Sequence, residues 1–302
     1  MTAPTPYRYL RAVALAIICA LLSSLAYALA SVLQHRAAVA QPRETSLRLG
    51  LLAALLRSRL WLMGVLFDVV AFLLQFVALG HGSLVLVQPL LVCGLLFALP
   101  LGAWLADTTM TRRDWIGAAA LVTGLSTFLV VASPGNGHAE VANRDWVLLL
   151  SGAALLIAGL LLAARGRSNR QRAGLLAAAA GVNYGVTAAL TKAAAHLLDG
   201  GIGELLESWE MYVLVGAGLF GMLLAQSAFQ AGPLDASLPV LTVADPIVSI
   251  FIGAAILGEG VRSGPLPTIL EAAGLLLVIS GVIALTQAEA VRAVGETQAE
   301  AG

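Results

Sequence analysis

Three charged residues stand inside long apolar runs: Asp68, Asp245 and Lys192, the chain's only lysine. A charge at the bilayer centre costs about 3 kcal/mol on insertion scales, so it normally faces a cavity or a partner. Asp68 and Asp245 each fall near the middle of their run, and Lys192 falls late in its own. Two mid-depth carboxylates suit a cation or proton site, which makes Asp68 and Asp245 the candidate metal ligands, with Lys192 balancing their charge when the site is empty. A buried Asp–Lys pair that locks helices together fits the same residues, although such pairs alone are weak stabilising devices. Pro89 and Pro246 sit beside Gln88 and Asp245. A proline in a span frees a backbone carbonyl, which can line a cavity and coordinate a cation, or it simply kinks the helix. Gln75, Asn183, Gln226 and Gln230 add amides for the pathway or for helix contacts. Tyr27 and Tyr184 complete the candidate set. His35 and Arg36 end the first span and can snorkel to the interface. Glu271 is a pathway or interface charge. Asp107 and Glu259 end their spans and are expected to be solvated, and His81, His138 and His196 read as turn or loop residues.

The elements that position these groups are transmembrane helices. Hydrophobic residues are 59% of the chain and charged residues 11%. Apolar runs long enough to span recur from end to end, and the alternating pattern of an outer-membrane barrel is missing. Nine spans are expected at about 10–33, 60–79, 84–106, 114–132, 146–164, 173–198, 211–230, 234–257 and 266–286. The first exceeds a signal-peptide core and reads as a retained helix. The apolar stretch 49–56 is too short to cross and reads as a surface turn or short amphipathic helix. Twelve arginines fall on one side of this layout and four on the other, which puts the N-terminus outside and the C-terminus in the cytoplasm. All five tryptophans fall near span ends, as in an interfacial belt. Cys19 and Cys93 lie in apolar runs, so no disulfide is expected. No phosphate loop, HExxH or GxSxG motif occurs, so the chain does not read as an enzyme and needs no cofactor.

The chain also repeats itself. Tyr27 and Tyr184, His35 and Lys192, Gly117 and Gly274, and Gly124 and Gly281 are each 157 residues apart. Pro89 and Pro239, and Gly82 and Gly232, are 150 apart. Spans 1–4 (residues 10–133) therefore correspond to spans 6–9 (173–287). The linking span (145–165) inverts the second copy, and 288–302 is a polar cytoplasmic tail. Inverted repeats around a midplane site are a recurring transporter plan.

The segments Leu84-Val-Leu-Val-Gln-Pro89 and Asp245-Pro-Ile-Val-Ser-Ile-Phe-Ile-Gly-Ala-Ala-Ile-Leu-Gly-Glu259 resemble the drug/metabolite transporter superfamily and its EamA-type members. Within it the chain is similar to the NIPA-like branch, which is associated with magnesium transport. That branch's Gly-Glu-x-x-Asn-Phe run is matched by Phe67-Asp-Val-Val-Ala-Phe72, with Asp68 in the glutamate's place and Ala71 in the asparagine's. A lysine late in the first helix of the second repeat is matched by Lys192. The resemblance implies an all-α polytopic transporter working by alternating access.

The expected function is transport of a small solute or ion, Mg²⁺ or another divalent cation. The alternatives are a proton-coupled carrier of a small amino-acid-like or anionic metabolite, with Lys192 meeting the anion, and a non-transporting scaffold. The expected partners are the lipid bilayer, the substrate and a second copy in a homodimer, with no nucleic acid.

Overall fold

The computed structural model describes residues 6–39, 58–105, 109–133, 141–232, 234–260 and 264–299, and no strand occurs among them. Its helices are α1 (Pro6–Val39), α2 (Arg59–His81), α3 (Leu84–Leu91), α4 (Gly94–Leu105), α5 (Arg112–Ala132), α6 (Asn143–Ala163), α7 (Asn169–Leu197), α8 (Ile202–Glu207), α9 (Trp209–Ala231), α10 (Leu234–Ala255) and α11 (Pro265–Ala299). Nine spans among the described residues are long and apolar enough to cross a membrane; α3 and α4 together make the third. The described residues are all-α, as the long apolar runs of the sequence imply.

The helix starts follow ordinary capping chemistry. Ser58 accepts from the Trp61 amide and Ser83 from the Leu86 amide. Thr111 and Asp114 form a reciprocal capping box at α5. The third span breaks at Val92–Cys93, where the amides of 92, 93 and 95 bond three residues back. Such tight turns replace the α-helical ladder at a joint. Gly94 follows, and a Cβ there would lie 3.2 Å from the Ser24 carbonyl oxygen.

α7 is the axis of the molecule. In its most apolar window 72% of residues are buried, against 11% for α6, the linking span, most of whose surface lies outside the bundle. α7 packs against α9 on one side and α10 on the other, and α1 packs against α2 and the α3–α4 pair. Small residues allow these approaches. Cβ atoms at Gly181 and Gly185 would lie 2.4 Å from Ala244 and 2.6 Å from Val248 on α10. The Ser24–Gly94 and Gly181–Ala244 contacts are counterparts, since 24 and 181 differ by 157, and 94 and 244 by 150. α2 and α9 match at the same offset of 150, are both 23 residues long, and bury the equivalent positions 64/214, 71/221 and 78/228.

α5 and α11 cross antiparallel through four glycines. Gly124 meets Gly274 and Gly117 meets Gly281, with a Cβ on Gly124 only 2.6 Å from the Gly274 oxygen. These are the 157-offset pairs in crossed register.

Several expectations need correction. Trp104 and Trp115 are exposed as an interfacial belt requires, but Trp146 is buried and packs edge-on against Trp209 at 5.6 Å. His196 belongs to the last turn of α7 rather than to a loop. The stretch 49–56, Asp107, His138 and the side chains of His35, Arg36 and Gln230 lie outside the described residues.

Candidate functional site

Four helices bring the aspartates and tyrosines together. Tyr27 and Gln34 project from α1, Asp68 and Gln75 from α2, Tyr184 from α7, and Asp245 and Ser249 from α10. The Tyr27 hydroxyl donates to Gln75 Oε1 at 3.2 Å. Gln34 Nε2 donates to Asp68 Oδ2. The Ser249 hydroxyl donates to Asp245 Oδ1 at 3.2 Å. Asp68, Asp245 and Tyr184 all lie near enough to act electrostatically on the Tyr27 hydroxyl, and Asp245 acts on Tyr184 as well.

The α2 side of this cluster is built on one helical stripe: Gly64, Asp68, Ala71, Gln75 and Ala78. Gly64, Ala71 and Ala78 are buried, which lets α1 lie close. A Cβ at Gly64 would lie 2.6 Å from Gln34 Cγ, so this glycine makes the room that Gln34 uses to reach Asp68. Ser23 ties the same face by donating to the Ala71 carbonyl at 2.7 Å. At an offset of 150 on α9 stand Gly218 for Asp68 and Ala225 for Gln75, so α9 carries no polar side chain at those two positions.

Lys192 does not neutralise either aspartate. Its Nζ lies 2.6 Å from Glu259 Oε1, with the lysine side chain 5% exposed and the glutamate side chain 0%. Glu259 was expected to be solvated; it is instead a fully buried partner. The same carboxylate caps α3, accepting from the Leu84 amide at 2.7 Å and the Val85 amide at 2.9 Å. The backbone explains how it arrives there. After α10 the Glu259 amide bonds back to the Gly253 carbonyl at 2.9 Å, and Gly258 turns the chain with φ of 60°. That left-handed conformation suits glycine. A Cβ at Gly253 would lie 2.4 Å from Glu259 Oε2, so this glycine lets the carboxylate pass. One carboxylate thus joins α7, the loop after α10 and the start of α3.

The other candidates are placed as follows. Asn183 is buried and donates to the Ala217 carbonyl on α9 at 2.8 Å, a helix-to-helix bond rather than part of the aspartate cluster. Gln88 is 2% exposed, and its Nε2 has no partner among the described residues. Pro89 and Pro246 line a crevice with Val92, Phe128, Thr242 and Val282, whose volume is about 10 Å³. That is room for about one water. Its lining is almost wholly apolar and includes neither aspartate, so the two prolines do not share this crevice with the carboxylates. Gln226 is exposed on α9, and Glu271 is partly buried on α11.

Among the described residues no salt bridge includes Asp68 or Asp245. Nor do three or more His, Cys, Asp or Glu side chains gather there in a way that could hold a metal. What the cluster offers is two carboxylates, two phenols and two amides, a set that can bind a proton or a cation that keeps part of its water shell.

No family model matches the chain, and no solved structure matches it. An uncharacterized protein of Corynebacterium glutamicum is 34% identical over 274 residues, covering 90% of this chain and 95% of that protein. The probable magnesium transporter NIPA9 of Arabidopsis thaliana is 24% identical over 266 residues, covering 84% of this chain and 76% of that protein. With its nine apolar spans, the chain is a multi-pass membrane protein and belongs to the same family as the Corynebacterium glutamicum protein.

Proposed function

We propose that the chain is a cation transporter in which Asp68 and Asp245 bind the transported ion, with Mg²⁺ the favoured substrate. Membrane transport in general is supported by the nine spans and by the likeness to the probable magnesium transporter. The observation that carries the cation reading is the pairing of Lys192 with Glu259. It leaves the two aspartates of the cluster with no described cation beside them, and it takes from an anionic substrate the lysine that would have met it.

Alternating access follows from the repeat. The crossed glycine contacts of α5 and α11 are what two copies related by a two-fold axis make, each position meeting its partner's counterpart. An odd linking span between the copies puts that axis in the membrane plane, so the repeats are inverted. With the N-terminus outside, Lys192, Glu259 and the start of α3 lie on the outer side. There the buried carboxylate closes the route to the aspartates. Opening to the outside requires Glu259 to leave either Lys192 or the α3 amides, and opening to the inside does not.

Growth of a magnesium-auxotrophic strain at limiting Mg²⁺ tests the function. The wild-type chain is expected to restore growth, and Asp68→Asn, inserted at equal level, to fail. Equal growth with both would remove Asp68 from the site, and no rescue by the wild type would return a metabolite or scaffold role to the front.

A further inference from the structure

Helices α6 and α7 are joined by a turn at residues 164–168, and between their ends lies a cleft of about 510 Å³. Arg165, Arg167 and Arg172 line it beside Leu161, Ala164 and Leu176. Ala164 and Leu176 are buried, so they form the floor, while the three arginines are exposed at its rim. Arg167 Nε donates to the Ala163 carbonyl at 3.4 Å, which uses one of its five N–H groups. No described carboxylate forms a salt bridge with any of the three guanidinium groups. Three positive charges thus share one cleft with no compensating carboxylate among the described residues.

The position of the cleft decides what can use it. One apolar span ends at Ala163 and the next begins at Asn169, so the cleft lies where the bundle leaves the membrane. The face of α6 away from α7 is apolar and exposed, with Leu155 75% and Leu162 58% accessible. A headgroup in the cleft meets the guanidinium groups at the rim and Leu161, Ala164 and Leu176 below them, and acyl chains leaving it would continue onto the exposed apolar face of α6. Guanidinium binds phosphate through paired N–H groups. Basic pockets between spans at the membrane surface are suited to anionic headgroups.

We propose that this cleft is a binding site for an anionic phospholipid, whose phosphate engages Arg165, Arg167 and Arg172 and whose acyl chains lie along α6. The lipid would brace the linking span against α7, the most buried span of the bundle. A basic group near an anionic headgroup contributes about 1 kcal/mol, or roughly fivefold in affinity, so loss of all three arginines removes well over tenfold.

Native mass spectrometry of the purified, delipidated protein tests the site. The probes are phosphatidylglycerol, phosphatidylcholine of the same chains, and inorganic phosphate. The expected result is a stable phosphatidylglycerol adduct that phosphatidylcholine does not give, lost at least tenfold in Arg165→Gln/Arg167→Gln/Arg172→Gln. The control Arg112→Gln/Arg113→Gln, which removes two arginines from the start of α5, should keep the adduct. Equal loss in that control would show a diffuse charge effect and overturn the site. Equal binding of both lipids, or an unchanged adduct in the triple variant, would overturn it too. Inorganic phosphate that displaces the lipid completely at equal concentration would reassign the cleft to a free anion. Size-exclusion profiles of the variants exclude misfolding as the cause, and should any variant misfold, the single Arg172→Gln variant is expected to give a loss of about fivefold.

Discussion

Replacing Lys192 by methionine keeps a long apolar stem and deletes the ammonium that lies 2.6 Å from Glu259. Breaking a buried ion pair from one side costs about 3–5 kcal/mol, because the remaining charge is left uncompensated. In Lys192→Met the glutamate still accepts from the Leu84 and Val85 amides at 2.7 and 2.9 Å. The loss should therefore sit at the low end, about 3 kcal/mol. Glu259→Gln does more damage. It strands the ammonium and turns an NH₂ group toward one of the two α3 amides, and a buried unsatisfied donor adds about 1–3 kcal/mol. The double variant carries no buried charge at this point, so its loss should fall short of the sum of the single losses by at least about 2 kcal/mol. Unfolding free energies from denaturing-detergent titration in mixed micelles give all four corners of the cycle. Single losses below about 1 kcal/mol, or a double loss equal to the sum, would refute the reasoning that one carboxylate holds α7 and α3 together.

Gly124→Ala should destabilise the protein by about 1–3 kcal/mol, since the new Cβ would lie 2.6 Å from two backbone atoms of α11. Gly152→Ala, where a Cβ meets nothing within 4 Å, should be neutral or slightly stabilising, and the same titration reads both. Gln34→Ala removes the described donor to Asp68; hydrogen bonds to charged groups contribute about 1.5–3 kcal/mol, so apparent cation affinity should fall about tenfold in uptake assays. An unchanged affinity would detach Gln34 from the site.

The spans and the oddity of Lys192 could be read from hydropathy and spacing, because the bilayer imposes its length and its intolerance of charge directly on the sequence. Lys192's partner was not legible in the same way. Glu259 lies just past an apolar run, where composition marks a solvated loop, and only the turn at Gly258 carries it back under α3. The sequence clue was the pair Gly253 and Gly258 ahead of the acid. Gln34 was missed because it adjoins His35 and Arg36 and shares their apparent interfacial setting; Gly64, one turn before Asp68, was the mark of its approach. Pro89 announced a break in the third span, but the joint falls at Val92–Cys93, where Gly94 meets the Ser24 carbonyl. Tertiary contact, rather than the proline itself, chose the position. Asn183 had the right residue type for the pathway, yet α9 presents the Ala217 carbonyl to it first.

The central claim is that Asp68 and Asp245 carry a cation through this bundle. Purified protein in liposomes with an entrapped Mg²⁺-sensitive dye tests it directly. The account predicts saturable Mg²⁺ entry with the wild type, and entry at the level of empty liposomes for Asp68→Asn and Asp245→Asn, both of which should elute as folded protein. Wild-type entry no faster than in empty liposomes, or undiminished entry in either variant, would contradict it.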